Sequence, residues 1–163
     1  LNEISELLKN AISESRIITY DLSPPVLYEL GLVPAFKWKL EQIGEKFKIK
    51  TTLVSEFNKL NIRKEFKILV YRIVAELLNN AIKHASADLI EVEVKKSKDF
   101  YYITVRDNGV GFQKKMNNRV TMKGGFGLMS ITERLENIKG RLEIKSGKGK
   151  GTEAIVRIPA SEN

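Results

Sequence analysis

The chain has no cysteine and a single histidine. The first absence excludes a disulfide framework, a thiolate metal site and a cysteine nucleophile; the second excludes a multi-histidine metal centre. No apolar run comes near the roughly 18 residues that a membrane span needs, and the first residues lack the pattern of a signal peptide. Internal repeats and low-complexity tracts are missing too. Forty-two per cent of the 163 residues are hydrophobic, which is ordinary for a globular chain and too much for a disordered one. A chain of this length buries roughly 70% of its unfolded surface, so it needs no staples. One domain, with or without an appendage, is expected. The opening residue is Leu1 rather than Met, so a piece of something longer is expected.

Acidic residues are in the minority, 20 against 28 basic ones, for a net charge of +8. A basic chain can bind nucleic acid or simply stay in solution. The excess is local. Lys114, Lys115, Arg119 and Lys123 fall in an acid-free stretch, and Lys139, Arg141, Lys145, Lys148 and Lys150 stand against Glu143 alone. Both stretches flank glycines, a placement that suits a phosphate chain better than a duplex.

Periodicity divides the chain. Ile4, Leu7, Leu8, Ala11, Ile12, Ser15 and Ile18 form the stripe of an amphipathic helix over residues 1–20. Pro24-Pro25 ends it, and a short helix is expected from Pro25 to Gly31. A further helix holds Pro34 in its first turn and runs to about Phe47. Alternation predicts strands at 48–56, 89–96 and 100–106, and the longest helix covers 65–85. A helix over 127–139 and strands at 141–146 and 151–159 complete the order, the last two joined by Gly147-Lys148-Gly149-Lys150 as a hairpin turn. Partly segregated helices and strands point to an α+β two-layer sandwich. Its sheet should be mixed but mostly antiparallel, with helices on one face, behind an N-terminal helix.

Three segments carry candidate chemistry. On the helix 65–85, stepping 100° per residue from Glu76 puts Lys83 at about −20°, Asn80 at about 40° and His84 at about 80°. A carboxylate and an amide oxygen on adjacent turns can hold magnesium, which takes oxygen ligands and keeps waters. The alternative is a solvated helix face. Next, Asp107-Asn108-Gly109-Val110-Gly111 follows a strand, with Asp107 in phase with Tyr101, Ile103 and Val105. A carboxylate turned inward needs a donor, and a purine amine would supply one. Gly109 and Gly111 would let the backbone approach a flat ligand. The plain alternative is a turn. Last, Gly124-Gly125-Phe126-Gly127-Leu128 opens a helix whose free amides suit phosphate, with the basic stretch 113–123 ahead of it as a lid. It is not a P-loop, because no Gly-Lys-Ser/Thr follows.

Each segment alone is weak; their order is specific. Asn-Asn-Ala-x-Lys-His on a helix, Asp-x-Gly-x-Gly after a strand, Gly-x-Gly-Leu opening a helix and Gly-x-Gly-Thr opening the last strand together resemble the ATP-binding domain of sensor histidine kinases. That superfamily includes the gyrase, heat-shock chaperone and mismatch-repair ATPases, and the resemblance covers about residues 26–160. It implies the Bergerat ATP-binding fold, with ATP and Mg2+ as cofactors. It implies Asn80 as magnesium ligand, Glu76 beside it, and Lys83 and His84 as phosphate or ribose contacts. Asp107 would bind the adenine amine, with Gly109 and Gly111 beside the base. Gly125, Gly127 and Leu128 would meet the phosphates, and Thr152 would sit near the adenine.

Glu76 departs from the many kinases with Asn there. The hydrolysing cousins use Glu as general base on water, and a compact branch of kinases also carries it. Residues 16–35 resemble the junction in that branch, which implies a dimerisation helix ending near residue 23 and a catalytic domain over 24–163. The resemblance further implies phosphoryl transfer to a histidine on that helix, upstream of Leu1, then relay to a response regulator with a receiver domain. His84, inside the nucleotide box, is not that acceptor. The expected setting is a cytoplasmic domain of a homodimer, without nucleic acid, with any membrane link through upstream regions. An anti-sigma-type serine kinase or an ATP hydrolase using Glu76 are the alternatives. A nucleic-acid-binding module ranks last, because the aromatics do not interleave with the basic runs.

Overall fold

A computed structural model describes residues 4–7, 24–111 and 126–161, the side chains of 126–129 excepted. Residues 4–7 are helical, as the N-terminal stripe requires; the rest of that expected helix and the junction near residue 23 lie outside the described residues. Four helices follow: α1 (Pro25–Glu29), α2 (Leu32–Phe47), α3 (Lys64–His84) and α4 (Phe126–Glu136). The strands are β1 (Lys50–Ser55), β2 (Leu89–Ser97), β3 (Phe100–Asp107), β4 (Arg141–Ser146) and β5 (Thr152–Pro159). They form one sheet in the order β1-β2-β3-β5-β4. Among the described residues only β1 and β2 pair in parallel, and α3 makes the crossover between them. The other three pairings are antiparallel. This is the mixed, mostly antiparallel sheet that the pattern predicts. Among the described residues no helix is long and apolar enough to cross a membrane.

Period-two alternation decides which face is covered. Ile90, Val92 and Val94, then Tyr101, Ile103 and Val105, then Ala154, Val156 and Ile158, are all buried. They meet α2, α3 and α4 in one continuous core. Helix α3 is wrapped more fully than an amphipathic stripe predicts, because Tyr71 and Ile73 are buried along with Val70 and Val74. The Tyr71 ring lies parallel to that of Phe36 on α2, centroids 6.5 Å apart. The opposite face of the sheet carries charge. There the Arg106 guanidinium donates to Glu153 at 2.7 Å, Glu91 at 2.9 Å and Glu93 at 3.0 Å.

Most boundaries shift by a residue or two from the sequence expectation, and three shifts have a clear cause. Strand β1 starts at Lys50, because Lys48 takes a left-handed conformation and caps α2 with its N–H on the Gly44 carbonyl. Helix α4 stops at Glu136, three residues early. The N–H of Gly140 returns to the Leu135 carbonyl at 2.8 Å, and Lys139 takes the left-handed position (φ 59°) that glycine usually fills. Asp107 is the last residue of β3 rather than the first after it, since it pairs with both Ile90 and Thr152.

Candidate functional site

The last turns of α3 hold the polar stripe. Glu76 and Asn80 are half-buried, while Lys83 and His84 are exposed. None of these four side chains has a hydrogen bond or ion pair among the described residues. Leu77, Leu78 and Ala81 on the same turns are buried and fix the helix rotation. The stripe therefore presents a carboxylate, an amide and two nitrogen bases with their bonding capacity open. Four residues along a helix put Glu76 and Asn80 about 6 Å apart in rise.

The Asp107–Gly111 turn is bonded to the end of that helix. The N–H of Val110 donates to the Ala85 carbonyl at 2.7 Å, and the Asn108 carboxamide oxygen accepts from the N–H groups of Asp88 and Leu89, both at 3.0 Å. The glycines explain how the backbones come so close. A Cβ on Gly109 would collide with the Ala85 carbonyl. Gly111 has φ 59°, and a Cβ there would collide with the Gly147 carbonyl in the β4–β5 turn. From that turn, the Gly149 N–H reaches the Val110 carbonyl at 2.6 Å. Sequence reasoning assigned Gly109 and Gly111 to the close approach of a flat ligand. In the fold their missing side chains admit protein backbone, which clamps the turn between α3 and the hairpin.

Asp107 sits at the inner end of β3, half-buried. Burial pushes its carboxyl above the ordinary carboxylate value. The Gly109 N–H at 2.9 Å and the Thr152 N–H and hydroxyl pull the other way without winning. Thr152 lies directly opposite across the ladder and also faces Ser146, with the two hydroxyl oxygens 3.2 Å apart. Since Ser146 Oγ donates to the Gly151 carbonyl at 2.9 Å, the Thr152 hydroxyl hydrogen is left for Ser146 or Asp107. Sequence reasoning missed Ser146. The signal that could have found it is the Ser146–Thr152 pairing across the predicted hairpin.

A cleft of about 480 Å³ opens at this end of the sheet, lined by Asp107, Ser146, Lys148, Lys150 and Thr152 and also by Arg106, Lys145 and Glu153 of the charged face. The structure thus brings Asp107 and Thr152 together in one cleft. Glu76, Asn80, Lys83 and His84 are outside its lining and connect to it through the Ala85–Val110 hydrogen bond. Gly125, with Lys114, Lys115, Arg119 and Lys123 of the expected lid, lies outside the described residues. Gly127 and Leu128 fall in the first turn of α4, as the glycine box requires. The basic run 139–150 is divided. Lys145, Lys148 and Lys150 line the Asp107 cleft, whereas Lys139 lines a different cavity at the other end of the sheet.

Comparison with known proteins places this geometry. The family model described as histidine kinase-, DNA gyrase B-, and HSP90-like ATPase matches residues 66–162. The chain is 30% identical to the signal transduction histidine-protein kinase/phosphatase DegS of Brevibacillus brevis, over 98% of this chain and 40% of that protein. It is likewise 30% identical to the oxygen sensor histidine kinase NreB of Staphylococcus carnosus, over 98% of this chain and 45% of that protein. The chain spans less than half the length of these curated relatives. Among solved structures, the Erythrobacter litoralis EL346 blue-light activated histidine kinase shares the fold, with a TM-score of 0.71 at 18% identity over 91% of this chain and 50% of that one. The catalytic domain of the histidine kinase ThkA shares it at a TM-score of 0.66 and 16% identity, over 78% of this chain and 89% of that one.

Proposed function

The chain belongs to the histidine kinase-, DNA gyrase B-, and HSP90-like ATPase family, and from that premise we propose that it is the ATP-binding catalytic part of a two-component sensor histidine kinase. The observation that carries the proposal is Asp107. A half-buried carboxylate at the inner end of a strand, facing a threonine hydroxyl in an open cleft, is built to take a donor from a ligand. The adenine amine is that donor. Thr152 and Ser146 would complete the recognition of the base, directly or through water.

Glu76 and Asn80 fit magnesium: both are half-buried oxygen donors without a partner among the described residues. Among the described residues no cluster of three or more His, Cys, Asp or Glu offers a transition-metal cage. Bound there, the ion would neutralise phosphate charge. Lys83 would add a cation at the same helix end, and the first turn of α4, with Gly127 and Leu128, would offer amide hydrogens.

The reaction proposed is transfer of the γ-phosphoryl to an imidazole of the dimerisation helix. The imidazole nitrogen lone pair forms the N–P bond, the bond from the γ-phosphorus to the bridging oxygen breaks, and ADP leaves. The imidazole proton goes to solvent. A response regulator's aspartate would then receive the phosphoryl group. Catalysis is positioning and charge neutralisation. His84, on the helix that holds the stripe, is a site contact in this reading, not the acceptor.

Calorimetric titration of Mg·ATP into the wild type and into Asp107→Asn, with GTP as control, tests the proposal. Saturable binding that prefers ATP and collapses in the variant is expected; wild-type indifference between ATP and GTP would sink the assignment of Asp107. A second reading, ATP hydrolysis with Glu76 as general base, rests on the open carboxylate of Glu76. Steady ATP turnover by the isolated chain, abolished by Glu76→Gln, would favour it.

A further inference from the structure

The sheet has a second cavity, at the end away from Asp107. It measures about 960 Å³ and is lined by the start of β3, the end of β5, the approach to α3 and the turn after α4. Phe100 of β3 lines it, seven residues before Asp107, so the two clefts stand roughly 24 Å apart along the strand. The nucleotide site described above does not account for it.

Three cations reach this cavity from three separate elements: Arg63 before α3, Lys96 near the end of β2 and Lys139 after α4. None of the three has an ion-pair partner among the described residues. Two are held by rings instead. The Arg63 guanidinium carbon is 5.8 Å from the Phe66 centroid, and the Lys96 Nζ is 5.4 Å from that of Tyr101. Among the described residues that line the cavity, the acid is Asp99. It also contains Ser161, whose buried Oγ has no hydrogen-bond partner among the described residues. A buried hydroxyl costs free energy unless something in the cavity meets it.

We propose that this cavity binds a small soluble polyanion carrying two or more phosphate or carboxylate groups, held by Arg63, Lys96 and Lys139 and by the Ser161 hydroxyl. Cations converging from three elements onto one concavity match a compact multivalent anion better than an extended strand or duplex, which would need them in a row. The Phe66 ring adds an apolar wall beside Arg63. The site is remote from the adenine cleft, so nucleotide and polyanion can be bound together.

The test is an NMR titration of the ¹⁵N-labelled chain with pyrophosphate and, separately, citrate, at low and at high salt. Saturable shifts are expected at residues 61–66, 96–100, 137–139 and 159–161, in the wild type and in Asp107→Asn alike. The stronger of the two probes tells phosphate from carboxylate. Arg63→Gln, Lys96→Gln and Lys139→Gln should each weaken binding about fivefold, and Asp99→Asn should tighten it by a similar factor. Ser161→Ala should weaken it without changing its salt dependence. Shifts that do not saturate, that spread evenly over all lysine-bearing surfaces, or that survive the three substitutions in a chain with an unchanged spectrum elsewhere would overturn the proposal.

Discussion

The N–H of Val110 donates to the carbonyl of Ala85 at 2.7 Å, joining the turn that follows Asp107 to the residue that follows His84. Two segments far apart in sequence thereby share one rigid joint. With the Asn108 carboxamide oxygen on the Asp88 and Leu89 N–H groups, this bond ties the polar stripe of α3 to the carboxylate of β3. Gly109 makes the joint possible, because any Cβ there would meet the same carbonyl.

Gly109→Ala is therefore expected to destabilise the fold by about 2–4 kcal/mol, since backbone cannot yield as a flexible side chain can. Gly149→Ala is the matched control. It has φ 74° but open space around its Cβ position, and it should cost only about 1 kcal/mol. Urea unfolding of both variants separates collision from conformation. Equal losses would show that the close approach of Ala85 carries no weight.

Asp107→Asn should lose nucleotide yet stay at least as stable as the wild type at pH 7. Burial raises the Asp107 carboxyl, so the folded state holds the proton more tightly than the unfolded one. The stability it contributes is present below the ordinary value of 3.8 and is lost as pH rises through the raised one. At neutral pH the wild type carries that penalty in full. The asparagine carries none, and its oxygen still accepts from the Gly109 N–H. A thermal midpoint for Asp107→Asn clearly below wild type at pH 7 would contradict this.

The acid side of the profile belongs to the other face of the sheet. Arg106 pulls the Glu153 carboxyl below its ordinary value, and Lys95 followed by Arg106 does the same for Glu93. Their contribution is present above 4.5 and is lost as pH falls through the lowered folded values. Arg106→Met should flatten this acid-side loss and cost about 1 kcal/mol at pH 7, because the network is partly exposed. Asp107→Asn should instead steepen the acid-side loss, because the raised Asp107 carboxyl of the wild type gains stability as pH falls. Guanidinium titrations between pH 3 and pH 7 would show whether the two effects separate as expected.

Most of the fold and part of the site can be read from residue order. The β2 and β3 alternation predicts both strand length and buried face, and the placement of Asp107 beside Thr152 follows from the motif order. The backbone packed against Gly109 and Gly111 is not legible in the sequence, which does not reveal what fills the space a glycine leaves. Ser146 was invisible for a related reason: its role comes from cross-strand register. The run 139–150 reads as one basic patch in the sequence, but the strand β4 carries its two halves to opposite ends of the sheet.

Lys139 lets stability and binding be set against each other in one residue. It occupies the left-handed position that ends α4, at φ 59°, where a side chain costs about 1–2 kcal/mol and glycine's extra unfolded-state entropy costs less. Lys139→Gly should thus raise stability by about 0.5 kcal/mol. The same change removes one of the three cations at the second cavity, so pyrophosphate should bind about fivefold more weakly. Lys48→Gly relieves a comparable left-handed position (φ 58°) at the end of α2, away from that cavity, and should stabilise without touching pyrophosphate binding. A gain in stability for both variants, with weaker pyrophosphate binding for Lys139→Gly alone, would mean that the lysine at 139 is kept for what it binds. Equal pyrophosphate affinity in the two variants would mean that it is not.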